Sequence, residues 1–197
     1  MSVCAAAVAA TAALSGSALA DDAAPAAGCP VVPTVQPFAP WQDLADYFLA
    51  PGGDIEDGAS SWDLSGGAAA VEGNEPFRVS GAADHTALRL PAGADATTAR
   101  FCVGVEHRTM RFFARGSGSG TLKVSAVYAK RADKDKRVHL GTFQAGGEWT
   151  PSPVVPMLVN ELAPAADDAL SVSLSFSARG SGSWDIDDVF VDPYRRG

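Results

Sequence analysis

Between Leu170 and Ser177 apolar and polar residues alternate strictly, with Val172, Leu174 and Phe176 set against Ser171, Ser173, Ser175 and Ser177. Successive side chains of a strand point to opposite faces, so this run predicts a strand with one buried and one wet face. Thr121–Ala129 repeats the logic, with Leu122, Val124, Ala126 and Tyr128 opposite Lys123, Ser125 and Val127. Shorter runs at Arg78–Ser80, Ala87–Leu90, Arg100–Val105, Met110–Arg115, Val138–Phe143 and Trp184–Val191 are separated by clusters of Gly, Ser, Asp and Pro. Many short strands with turn signals between them predict an all-β sandwich of two antiparallel sheets. The one helical expectation is a short turn within Trp41–Phe48, with Leu44, Tyr47 and Phe48 on one side.

A short echo supports the hairpins. Ala114-Arg-Gly-Ser-Gly-Ser119 and Ala178-Arg-Gly-Ser-Gly-Ser183 each follow one predicted strand and precede another. Glycine permits the positive φ of tight turns, so the two segments read as loops. A phosphate-cradling loop would lead into a helix, which neither does.

The N-terminal region has a different character. Ala5–Ala20 is apolar and ends in Ala18-Leu19-Ala20 before Asp21-Asp22, the pattern of an export signal over residues 1–20. The run is too short to remain as a membrane helix. Residues 21–48, rich in Pro and Ala, read as an extended leader, and 49–197 as the sandwich domain. Ala26-Ala27-Gly28-Cys29 resembles a lipobox, so lipoprotein anchoring at Cys29 is the alternative to free secretion. Once Cys4 leaves with the signal, Cys29 and Cys102 remain as an even pair in an oxidising compartment, which points to a disulfide.

The net charge of -8 disfavours nucleic acid and anionic membrane surfaces, which call for a basic face, and is compatible with neutral sugars or with cations. A monomer is expected. His85, His107 and His139 are scattered, with neither an H-E-x-x-H pair nor a G-x-S-x-G elbow. Asp63, Asp84, Glu106 and Glu148 offer carboxylates without marking out a catalytic pair. The expectation is a non-catalytic protein.

Two distant segments carry a resemblance. Gly52-Gly53-Asp54-Ile55-Glu56-Asp57-Gly58, followed by Trp62-Asp63-Leu64, and Trp184-Asp185-Ile186-Asp187-Asp188-Val189-Phe190-Val191 resemble the first and last strands of the galactose-binding-like jelly-roll superfamily, which includes carbohydrate-binding modules. Met110–Arg115, the glycine turn and Gly120–Val124 look like a central hairpin of that fold, and Gly147-Glu148-Trp149-Thr150 like the turn before a later strand. The layout is also similar to small exported proteins of actinobacteria. The resemblance implies a jelly roll whose first and last strands lie side by side. It implies a structural Ca²⁺ held by Asp54 or Glu56 together with Asp187 or Asp188. On an ideal strand Ile186, Asp188 and Phe190 share a face, so an inward Asp188 needs a partner or a metal. A bulge would turn Asp187 inward instead, and a solvated acidic edge that discourages sheet association is the plain alternative.

A sugar site needs flat rings with convergent polar groups. Phe113 alternates onto the side of Arg111 and Arg115, where it is either exposed for stacking or tucked beneath the arginine stems. Trp149 and His139, the latter with Phe143, are further candidates, whereas Trp62 and Trp184 belong to the core. The expected function is recognition of a glycan or cell-envelope polysaccharide. The alternative is a structural or interaction protein of the cell surface that uses the same scaffold.

Overall fold

In this computed structural model the described residues are 29–104, 106–130, 134–157 and 169–193. The expected export signal and residues 21–28 of the leader lie outside them. Strands run over Phe48–Leu49 (β1), Asp63–Ser65 (β2), Ala69–Glu72 (β3), Thr86–Pro91 (β4), Asp95–Thr97 (β5), Phe101–Val103 (β6), Thr109–Gly116 (β7), Thr121–Lys130 (β8), Lys134–Gln144 (β9), Thr150–Pro151 (β10), Val155–Pro156 (β11), Leu170–Arg179 (β12) and Ser183–Asp192 (β13). The first sheet has the order β10-β7-β13-β4-β3, with β1 beside β13 and β11 beside β7. The second has the order β2-β5-β12-β8-β9, with β6 beside β12. Neighbouring strands are antiparallel.

The predicted alternation builds the core. Val172, Leu174 and Phe176 from β12 and Leu122, Val124 and Ala126 from β8 face Met110, Phe112, Trp184 and Ile186 from the first sheet, all buried. Phe112 meets Phe176 edge to face at 5.3 Å across the sandwich. Trp62 joins this core and donates its Nε1 hydrogen to the Gly52 carbonyl at 2.8 Å.

β13 is the spine of the first sheet. It pairs with β4 and β7, and its end pairs with β1. The expected juxtaposition of the two segments is present: Ala50 N donates to Val189 O at 2.8 Å and Val189 N donates to Gly53 O at 3.0 Å. A side chain at Gly53 would place its first carbon 2.7 Å from Val189 O, so only glycine permits this approach. The pairing register shifts between Asp187 and Phe190, and Asp188 has φ +51°. This bulge changes the expected parity. Ile186, Val189 and Val191 point into the core, while Phe190 packs on the opposite side of the sheet.

Two further expectations are corrected. Arg78–Ser80 is a turn rather than a strand, with Arg78 at φ +51°. The helical turn lies at Ala39–Trp41, ahead of the expected place, and Tyr47 bridges back to Val35. The leader thereby lays Phe38 and Tyr47 on the outer face of the first sheet, where they form a second apolar cluster with Ala87, Phe113, Trp149 and Phe190. Cys29 is bonded to Cys102 with a Cα–Cα distance of 5.4 Å, tying the start of the leader to β6. The sulfur of Cys29 is therefore not free to carry a lipid.

The two echoed turns pack against each other. Ser117 N donates to Ser183 O at 2.8 Å and Ser183 N to Ser117 Oγ at 3.0 Å. At Gly182, with φ +85°, any side chain would strike Ser117 O.

Closing a loop with a sequence separation of 73 removes unfolded-state entropy. Replacing Cys102 with Ser is expected to lower the unfolding free energy by about 2–4 kcal/mol, read from urea denaturation of both proteins. Equal midpoints would show that the bridge adds nothing.

Candidate functional site

The bulge in β13 and the loop joining β3 to β4 together create an acidic centre. Glu75, Asp84, Asp187 and Asp188 are all buried. The Glu75 carboxylate accepts from the backbone N–H groups of Phe77 and Val79, which winds the loop around it. Glu75 N donates to Asp187 Oδ2 at 3.3 Å, Asp188 N donates to Asp187 Oδ1 at 2.9 Å, and Ser80 Oγ donates to Asp188 Oδ1. Oxygens from Glu75, Asp84 and Asp188 lie within 4.8 Å of one another. Glu56 closes one edge: its Oε1 accepts from His85 N at 2.8 Å and Thr86 N at 2.6 Å, and its Oε2 meets His85 Nδ1 at 2.6 Å.

Among the described residues no arginine or lysine forms a salt bridge with the four buried acids. Burial pushes the Asp187 carboxyl up to about 9, with the Asp188 and Asp84 charges adding to it. Burial raises Asp188 to about 8, with Asp84 and Glu75 contributing. Asp84 is raised to about 6 by burial beside Glu56 and Glu75. For Glu56, burial is outweighed by the backbone hydrogen bonds from His85 and Thr86, and its carboxyl sits below the usual range.

Both oxygens of Asp84, Asp188 Oδ2 and Asn74 Nδ2 are buried without a hydrogen-bond partner among the described residues. Buried polar groups are normally satisfied, and a cluster of hard carboxylate oxygens suits a divalent cation such as Ca²⁺. The acids that the fold brings within reach of one another are only partly those expected. Asp188 contributes from the last strand, but its companions are Glu75 and Asp84. Asp187 lies against the group and Glu56 at its edge, while half-buried Asp54 is outside it.

A carboxyl whose folded pKa is raised stabilises the fold below its unfolded value and loses that contribution as pH climbs through the folded one. In the presence of a chelator the melting temperature is therefore expected to fall as pH rises from about 4, the unfolded carboxyl value, to about 9, as Asp84, Asp188 and Asp187 are driven to ionise. The fall should be shallower in Asp188→Asn. Parallel pH profiles for the two proteins, measured by circular dichroism, would contradict this.

On the outer face of the first sheet, alternation along β7 presents Arg111, Phe113 and Arg115 on one side. Phe113 is fully buried, stacked on Phe38 at 5.3 Å and flanked by Trp41 at 5.4 Å and Phe77 at 5.6 Å. Arg111 donates from Nε and Nη2 to Ser152 O at 2.9 and 2.7 Å and from Nη1 to Asp43 Oδ2 at 2.8 Å, with its guanidinium 4.4 Å from the Phe38 ring centre. Tyr47 OH donates to the same Asp43 oxygen at 2.8 Å. Both residues therefore hold the leader in place, and the Phe113 ring has no open face.

Arg115 lies beyond the leader. Its guanidinium sits 5.1 Å from the Trp149 ring centre, and its Nε donates to Asp185 Oδ2 at 2.9 Å. Arg89 grips the same carboxylate with two bonds, Nε to Oδ1 at 2.7 Å and Nη2 to Oδ2 at 2.9 Å. Burial would raise the Asp185 carboxyl, but the two arginines outweigh it and hold it low. Arg89, Arg115 and Asp185 line an open depression of about 310 Å³, walled by Gly116, Ser117, Gly147 and Ser183. Sequence reasoning missed Arg89 and Asp185. The signal was present in their outward parity on neighbouring strands, once the β4–β13 pairing is known.

The outer face of the second sheet differs. Ser171, Ser173, Ser175 and Ser177 point toward it, but the expected wet face is corrected: only Ser171 is exposed, and Ser173, Ser175 and Ser177 are buried on this central strand, with Arg137 Nη1 donating to Ser175 Oγ at 2.6 Å and Arg179 Nη2 to Asp95 Oδ1 at 2.7 Å. His139 is exposed here and contacts Thr142, on the opposite sheet from Trp149 and Arg115. The proposed ligand residues therefore do not form one group: Arg115 and Trp149 meet, Arg111 and Phe113 serve the leader, and His139 is elsewhere.

No protein-family model matches the sequence, and no curated protein matches it. Among solved structures, the CBM22-1 xylan-binding domain of Paenibacillus barcinonensis Xyn10C superposes with a TM-score of 0.53 at 10% identity, over 77% of this chain and 97% of that one. The family 11 carbohydrate-binding module of Clostridium thermocellum, in complex with a β-1,3-1,4-mixed-linked tetrasaccharide, gives 0.52 at 10% identity over 77% and 98%. A CBM22-1–GH10 structure of Clostridium thermocellum endo-1,4-β-D-xylanase 10B gives 0.48 at 17% identity, and the match covers 71% of this chain but only 27% of that one. The fold is thus the jelly-roll sandwich of carbohydrate-binding modules.

Proposed function

We propose that the protein is an exported, non-catalytic glycan-binding module whose sugar site is the depression formed by Arg89, Arg115 and Asp185. The observation that carries this reading is that the leader covers the ring-bearing face of the first sheet and stops short of this depression. There a guanidinium plane stacked on Trp149 lies beside polar groups fixed on three strands. Rigid strands hold such donors more precisely than loops do. The likeness to modules described as xylan-binding or crystallised with a mixed-linkage tetrasaccharide supports the substrate class.

Non-catalytic behaviour is supported by where the clustered carboxylates lie. Glycoside hydrolysis needs two carboxyl groups flanking the bond to be cut, whereas Glu75, Asp84 and Asp188 are sealed from solvent. In the proposed reading they hold a structural Ca²⁺, with Asp187 and Glu56 adjoining. The ion supplies positive charge that keeps these acids ionised, and the loop from Glu75 to Ser80 positions them. Export is supported by the Cys29–Cys102 bridge, since disulfides persist in oxidising compartments. The second reading is a cell-surface scaffold for a protein partner, using the outer face of the second sheet, where Arg137 and His139 are exposed.

A glycan array probed with the wild-type chain and with Arg115→Ala tests the reading. At least one polysaccharide should be retained, and the variant should bind it about tenfold or more weakly, the loss expected for a charge-assisted hydrogen bond. An empty array, or equal binding by the two proteins, would favour the scaffold reading.

A further inference from the structure

We infer that the depression selects an acidic sugar, taking the carboxylate of a uronate residue against the paired guanidinium groups of Arg89 and Arg115. This inference rests on the glycan-binding reading. Two guanidinium groups face one carboxylate, and the rest of the lining is serine and glycine, so the site has a local excess of positive charge on a chain whose net charge is -8. The arginine side chains are 44% and 41% exposed, while the Asp185 side chain is only 6% exposed. The cations reach solvent, and the anion is held beneath them.

The hydrogen-bond capacity of the site points the same way. Asp185 Oδ1 accepts from Arg89 Nε, and Oδ2 accepts from Arg89 Nη2 and Arg115 Nε, with Arg115 Nη2 also at 2.9 Å. Little accepting capacity is left for sugar hydroxyls. Each guanidinium keeps its Nη1 amino group without an acceptor among the described residues. The site therefore offers donors, and a ligand must bring acceptors. A hydroxyl accepts weakly, whereas a carboxylate forms charge-assisted bonds roughly twice as strong. Trp149 is 9% exposed, packed in the outer apolar cluster with Arg115 over its ring, so recognition depends on the guanidinium groups more than on an open ring. Asp185 and Trp149 together fix both arginines before a ligand arrives, which limits the entropy lost on binding. The volume lies at the lower end for ligand pockets, about 300 Å³, consistent with a sugar ring and its carboxylate rather than a long cleft.

The test uses the full chain in isothermal titration against polygalacturonate, alginate and hyaluronan. Each is paired with its carboxyl-reduced neutral counterpart, and xylan, mixed-linkage β-glucan and dextran sulfate are run beside them. At least one uronate polymer should bind about tenfold or more tightly than its reduced form, with affinity falling as salt rises. Arg89→Gln and Arg115→Gln should each erase that preference in protein whose circular dichroism shows it folded at the temperature of the titration. Equal or better binding of a neutral polysaccharide would overturn the inference and leave the glycan reading intact. Binding of dextran sulfate as tight as that of any uronate would show non-specific charge attraction and overturn it too. No binding to any of them would remove both.

Discussion

The last strand is hydrogen-bonded on both sides and buried from Trp184 to Asp192, yet four of its residues are aspartates. A carboxylate taken out of water costs several kcal/mol unless it is paired or neutralised. Each of the four has its own compensation. Asp185 is gripped by Arg89 and Arg115, Asp192 accepts from Thr109 Oγ1 at 3.1 Å, and Asp187 and Asp188 are gathered with Glu75 and Asp84. The sites follow from this constraint, because solving it at Asp185 places two arginines at the surface and solving it at Asp188 creates an enclosed group of acids.

The bulge reconciles the two demands on this strand. Without it, continuing the parity of Ile186 would drive Asp188 into the apolar core. The left-handed turn at Asp188 instead restores Val189 and Val191 to the core and releases Phe190 to the outer face. There Phe190 and Phe113 would expose a large apolar patch, which the leader covers with Phe38 and Tyr47 and fastens through the Asp43–Arg111 pair. A face whose rings could have served a ligand is thus occupied by the chain itself. The uncovered end is polar, and the proposed binding site lies there.

Much of the sandwich was legible because its strands obey a period of two: the apolar rows of β12 and β8 lie where their alternation put them, whereas the serine row of β12, expected wet, is buried from Ser173 to Ser177 because polar side chains such as Arg137, Thr97 and Asp95 cover it. The meeting of the Gly52–Gly58 segment with the last strand, and the pairing of Cys29 with Cys102, were also readable from short motifs and from cysteine parity. The bulge stood there as one of two alternatives, since Asp187 and Asp188 fit either parity equally well until β7 fixes the register. The cover on Phe113 was hidden because Phe38 and Tyr47 sit among prolines and alanines with no period to mark a buried face. Glu75 and Asp84 looked like isolated loop acids, and only the β3–β4 pairing brings them to Asp188. Arg89 joins Arg115 across β13, a contact between residues far apart in the chain.

The buried aspartates of β13 are compensated in different ways, by arginines at Asp185 and, in the proposed reading, by a divalent cation held at Asp188 beside Asp187. Carbon-13 chemical shifts of the aspartate carboxyl groups, followed by NMR near pH 7 with Ca²⁺ and then with a chelator, test it directly. All three are expected to be ionised with Ca²⁺, and chelation is expected to protonate Asp187 and Asp188 while Asp185 stays ionised. Ordinary carboxylate titration of Asp187 and Asp188 under both conditions would contradict it.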